Sequence, residues 1–110
     1  MTETANVTID DYPFVCVPLF QSDFKEVAAI YVIICVKSGG SWSIIDVGQS
    51  GQLGNRIDHH DRIKCWGEKC STENIWVCIH KMPSDKYTIE DRRRREKEIR
   101  SKHTGLCGER

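Results

Sequence analysis

The densest apolar run in this chain is Ile30-Tyr31-Val32-Ile33-Ile34-Cys35-Val36, which is β-branched or aromatic at almost every position. Such a run fits a strand. Ser38-Gly39-Gly40-Ser41 has turn chemistry, and Trp42-Ser43-Ile44-Ile45-Asp46-Val47-Gly48 resumes strand character, so the two segments should pair antiparallel across a short hairpin. After Gly48 the period changes. Leu53, Ile57 and His60 recur at helical spacing, with Ser50 as candidate N-cap and Gly67 as candidate terminator, and this predicts a helix over residues 52–64. Asn74-Ile75-Trp76-Val77-Cys78-Ile79 opens a third strand, over residues 75–82, which Pro83 ends.

A charged helix follows over residues 88–102, with Thr88 as N-cap and Glu90 and Asp91 in its first turn. Its acids have bases four residues on, from Glu90 with Arg94 to Glu98 with Lys102. Pairs of this kind add only ~0.2–0.5 kcal/mol each, so they maintain the helix, and the run Arg92 to Arg95 reads as a solvated face. One carboxylate departs from that pattern. Ile89, Glu96, Ile99 and His103 fall on one stripe, which turns Glu96 inward while Glu98 points away. A carboxylate on a buried face needs a partner or a metal.

The pattern therefore predicts an α/β (α+β) domain with a small three-stranded sheet, antiparallel or mixed, flanked by helices. Residues 1–26 form a separate leading segment: Met1 to Asp11 are polar and acidic without periodicity and read as a loose arm. Phe14-Val15-Cys16-Val17-Pro18-Leu19 reads as an added strand that Pro18 confines to an edge. Residues 27–110 carry the main domain.

At 110 residues, one domain with one core is expected. The formal charge of zero hides an asymmetry: through Ser50 there are two basic and six acidic residues, or −4, which leaves +4 for the remainder. The basic side follows the hairpin. The six cysteines could form disulfides, but the first residues lack the basic start and apolar core of a secretory signal, so they read as reduced, buried thiols. Zinc is disfavoured because Cys65, Cys70, Cys78 and His80 include no paired C-x-x-C. The longest apolar run is far short of the ~20 residues of a membrane span. These features together predict a soluble, cytoplasmic protein with no membrane partner.

Taken singly, Arg56 and His60 read as a snorkelling cation and a core histidine. In sequence they form a constellation: a tyrosine in a first strand, Gly48-Gln49-Ser50 closing a second, then a helix with Arg56 and His60 four residues apart, and later an acidic helix. Over Ala29 to about Gly108 this resembles the GIY-YIG endonuclease superfamily. The first motif stands as Ala29-Ile30-Tyr31, keeping the tyrosine and losing the glycine; the second stands as Asp46-Val47-Gly48, keeping the glycine and losing the tyrosine. The resemblance implies a metal-dependent endonuclease that hydrolyses DNA phosphodiester bonds. It implies that Glu96 holds the metal, Mg2+ or Mn2+, that Arg56 contacts the scissile phosphate, and that Tyr31 and His60 handle the water, with Asp46 in the second tyrosine's place. Gln49, Ser50, Arg56, Arg93 and Arg100 are the implied DNA contacts. The family also tends to have an asparagine about a dozen residues after the glutamate, where this chain has Leu106-Cys107-Gly108. Two readings follow: an active endonuclease, whose targeting would use a protein partner or a dimer, and the same fold without cleavage, binding nucleic acid or protein. An unrelated small α/β domain is the third.

Overall fold

The structure, a computed structural model, describes residues 4–20, 24–58 and 62–108. Five strands form one antiparallel sheet: β1 (Ala5–Ile9), β2 (Tyr12–Pro18), β3 (Ala29–Val36), β4 (Trp42–Ser50) and β5 (Ile75–Lys81), in the spatial order β1-β2-β5-β3-β4. Helices α1 (Leu53–Asp58) and α2 (Ile63–Lys69) lie between β4 and β5, and α3 (Ile89–Ser101) follows β5. Among the described residues no helix is long and apolar enough to cross a membrane.

The expected three-stranded sheet is thus corrected to five strands, and the loose arm to a hairpin. Asp10 and Asp11 both adopt positive φ, 50° and 71°, in a two-residue turn that pairs Ile9 with Tyr12 and Val7 with Phe14. Both central residues of such a turn need the left-handed region, which suits glycine first but which a short polar side chain also enters. Without a glycine the turn carries only a weak signal. Nor is β2 an edge strand, because it pairs with β1 through Cys16 and with β5 from Val15 to Pro18. Pro18 is accommodated two residues past the end of the β1 ladder.

β3 is buried along both faces, which is why it reads as unbroken apolar sequence. Tyr31, Ile33 and Cys35 pack with Leu53, Ile57 and Trp66 on the side of α1 and α2. Ile30, Val32 and Ile34 pack with Ile99 of α3 on the other. The single helix expected over residues 52–64 is two helices. Trp66 lies nine residues after Ile57, so at about 100° per residue one straight helix would place the two on opposite sides. Both are buried, at 0% and 2% exposure, and only separate helices achieve this against one sheet face.

In α3, Thr88 and Asp91 form a reciprocal capping box: the Thr88 hydroxyl accepts from the Asp91 N–H, and the Asp91 carboxylate accepts from the Thr88 N–H. The buried face is set by Arg92 and Ile99, while Ile89 is 41% exposed, so the stripe begins one turn later than its apolar residues indicate. Arg92 is accordingly no part of a solvated face.

The expectation of reduced thiols is also corrected. Cys16 bonds to Cys78 across β2 and β5, Cys35 to Cys70 from β3 to the end of α2, and Cys65 to Cys107 from α2 to the segment after α3. That last segment matters for the sheet. The Cys107 N–H donates to Ile45 O at 2.8 Å along the open side of β4, so part of the sheet edge is covered by the chain itself.

Candidate functional site

Tyr31 and Gly48 face each other across β3 and β4. The phenol lies directly over the glycine: a Cβ built at Gly48 would come within 2.2 Å of the Tyr31 Cζ and hydroxyl oxygen. Gly48 is therefore required by its neighbour. Tyr31 is fully buried, and burial raises the pKa of its phenol, opposed by a hydrogen bond from the Arg56 side chain and by the charges of Arg56 and Arg62.

A bulge between Ile33 and Ile34 on one strand and Asp46 and Ile44 on the other shifts the register. Ile45 packs in the cluster that contains Trp66, and Asp46 contacts Trp66 as well, so two successive residues share one face, which strict alternation does not allow. The Asp46 carboxylate, at 0% exposure, is surrounded by donors. One oxygen accepts from the Val47 N–H at 2.8 Å and from Arg100 Nη1 at 3.0 Å; the other accepts from Trp66 Nε1 at 2.7 Å and faces Arg62 Nε at 3.0 Å. Arg100 also donates to the carbonyl oxygens of Val47 and Cys107, the latter at 2.8 Å. This cluster, centred on the buried Asp46, binds β4, α2, α3 and the closing segment together.

Glu96 is half-buried beside these arginines. Burial raises its carboxyl pKa, while Arg100, Arg62 and Arg56 pull it down and Asp46 pushes it up. Tyr31, Asp46, Arg56 and Glu96 thus share one electrostatic neighbourhood. Of these, Glu96 lines a groove of about 630 Å3, where it stands among Gln49, Arg62, Arg93, Lys97 and Arg100, while Tyr31, Asp46 and Arg56 do not line it. Ser50 does not line it; its hydroxyl accepts from the Gln52 N–H at 3.0 Å, capping the turn into α1. His60 lies outside the described residues.

No family model, curated protein or solved structure matches this chain. The site must therefore be read from its own chemistry.

Among the described residues, no three His, Cys, Asp or Glu side chains converge as metal ligands. Glu96 is the carboxylate that faces the groove, whereas both oxygens of Asp46 are engaged. A site with one carboxylate suits magnesium, which keeps waters and takes phosphate oxygens as its other ligands.

Three site residues were missed by the sequence reading: Arg62, Trp66 and Arg92. For Arg92 the signal was present, since Arg92, Glu96 and Ile99 follow i, i+4, i+7 spacing, but a run of four arginines masks it. Arg92 is 5% exposed and reaches Gln49 Oε1 and Met82 O, each at 3.4 Å. Nothing in local sequence links Arg62 and Trp66 to Asp46.

Proposed function

We propose that this groove binds DNA and that the chain is a divalent-metal-dependent endonuclease of the GIY-YIG type. One observation carries the reading: Arg56 acts electrostatically on both Tyr31 and Glu96, and Glu96 lines a groove walled by Arg62, Arg93 and Arg100. Hydrolysis adds water to phosphorus and breaks the P–O ester bond; one proton passes to the leaving oxygen and one to solvent. Cations must stabilise the charge that builds on the phosphoryl oxygens. Arg56, Arg62 and Arg100 supply them.

In this scheme Tyr31 is a positioning residue, because its buried phenol accepts from Arg56 and so aims the guanidinium. Asp46 is another, holding Arg62 and Arg100 at the groove. Glu96 is placed to hold Mg2+ or Mn2+, which when bound would add Lewis-acid charge at the phosphate. The three disulfides favour an oxidising compartment over the cytoplasm.

The test is nicking of supercoiled plasmid with magnesium or manganese, abolished by chelator. Glu96→Ala and Arg56→Ala should each cost at least ~10²-fold. Cutting that survives Glu96→Ala would overturn the metal assignment. The enclosed Asp46 in place of a motif tyrosine favours a second reading, a nucleic-acid or protein binding module without cleavage. Wild-type protein that binds DNA yet cuts with neither metal would establish it over the first for DNA.

A further inference from the structure

The run Arg92 to Arg95 is divided by the geometry of α3. Arg92 is buried, Arg93 lines the groove beside Glu96, and Arg94 and Arg95 turn to the opposite flank. There they line a second groove, of about 550 Å3, between the start of β2 and the loop before α3.

Two rings form its aromatic wall. The Arg95 guanidinium lies 4.5 Å from the centroid of the Tyr12 ring and 5.6 Å from that of Tyr87. Its Nη1 is 3.0 Å from His80 Nε2, and His80 Nδ1 is 3.0 Å from Pro13 O. A guanidinium can only donate and a carbonyl oxygen can only accept, so a single neutral tautomer, protonated at Nδ1, satisfies both contacts. Burial lowers the pKa of this imidazole, in keeping with the neutral form. Arg95 therefore has a neutral hydrogen-bond partner, and its charge is not cancelled by it.

The two acids here are already engaged. Asp91 serves the capping box and meets Arg94 at 3.3 Å, and Glu98 accepts from the Tyr12 hydroxyl at 2.7 Å. The Arg94 pair is solvent-exposed, at 77% for the arginine side chain, and so yields readily to a stronger anion. Lys86 is exposed at the rim. Aromatic faces beside cations suit a flat ligand that carries negative charge: a base can stack on a ring while its phosphate takes the lysine and arginine.

We propose that this groove is a nucleotide-binding subsite for single-stranded nucleic acid, with Tyr87 as stacking platform and Lys86 and Arg94 as phosphate contacts. It rests on the nucleic-acid reading of the first groove and extends it, since a strand leaving that groove over α3, about 10–12 Å across, meets the second.

The experiment is a fluorescence-anisotropy titration of the intact chain with a labelled single-stranded oligodeoxynucleotide of about 12 nucleotides, repeated across salt concentrations. Lys86→Ala/Arg94→Ala should weaken binding and reduce the magnitude of the salt slope by roughly 1–2. Tyr87→Ala should cost at least ~5-fold and Tyr87→Phe little, because the stacking face is retained. Both exposed cations can be removed without touching the core, so the double variant tests the idea even if Tyr87→Ala misfolds. Binding unchanged in the double variant but lost in Arg93→Ala would overturn the subsite and leave the first groove standing. Wild-type protein that binds neither single strand nor duplex would sink both. Heparin binding as strong as the oligonucleotide's, with no response to Tyr87→Ala, would reduce the groove to a general polyanion patch and reject the proposal.

Discussion

Asp46 shows how one residue's environment decides what a substitution does. Placing a tyrosine there would force a phenol into a fully enclosed position and leave Arg62 and Arg100 without their acid. Breaking a buried charged pair by removing one partner costs about 3–5 kcal/mol. Asp46→Tyr and Asp46→Asn should therefore both lower the urea midpoint sharply; an Asp46→Tyr protein of wild-type stability would refute the role of this cluster. Gly48→Ala should destabilise by about 1–3 kcal/mol, the usual cost of overpacking, because its methyl group meets the Tyr31 ring. His80 supplies a pH prediction. Its folded pKa lies below the unfolded value, so the unfolded chain binds more protons between the two. The contribution is then complete above about pH 6.5 and is lost as pH falls. Glu96 acts in the opposite sense: its folded pKa is raised, so its contribution is present below the ordinary carboxyl value and is lost as pH rises through the folded one. Urea titrations from pH 7 to pH 5 should show a change in stability more favourable to folding in His80→Asn than in wild type, because the variant lacks the proton uptake of the unfolded His80.

Arg92 and Ile99 are the buried residues of α3, and polar contacts also tie it to the sheet. Arg100 reaches β4, Glu98 accepts from Tyr12 of β2, and just past the helix His103 Nε2 meets the Asp10 carboxylate of the β1–β2 turn at 3.0 Å. A helix anchored this way depends on its cap. Thr88→Ala removes the hydroxyl that satisfies an orphan N–H and should cost about 1 kcal/mol, read as a lower melting temperature with α3 amides exchanging first. Unchanged exchange in α3 would mean that the polar contacts alone hold it.

At the scale of the whole molecule, the disulfides join distant parts of the chain to the site. Cys65–Cys107 closes a separation of 42 residues and holds the segment whose Cys107 carbonyl accepts from Arg100. Non-reducing peptide mapping should recover Cys65 linked to Cys107, and a full complement of alkylatable thiols before reduction would contradict the pairing. Cys65→Ser/Cys107→Ser should cost about 2–4 kcal/mol through a less constrained unfolded chain. It should also loosen the groove that Leu106 and Gly108 line.

Local pattern by itself determined what local physics controls. The apolar run of β3, the Gly39-Gly40 turn, the Thr88 cap and the inward turn of Glu96 depend on neighbours within a few residues, and each was legible. The β1–β2 hairpin was not, because two aspartates in left-handed conformation carry little turn signal, and the fifth strand went unread with it. The break between α1 and α2 was encoded in the phase of Ile57 and Trp66, but deciding it required knowing that both residues are buried against the same sheet face. Cysteine pairing and the cluster around Asp46 were decided only in three dimensions. Cys65 meets Cys107, and Asp46 meets Arg62, Trp66 and Arg100, across separations of 16 to 54 residues, and such contacts leave no periodic trace in the chain. Long-range contact follows from sheet order and helix packing, so a charge that reads as an isolated polar position in a strand became the buried centre that holds the arginines at the groove.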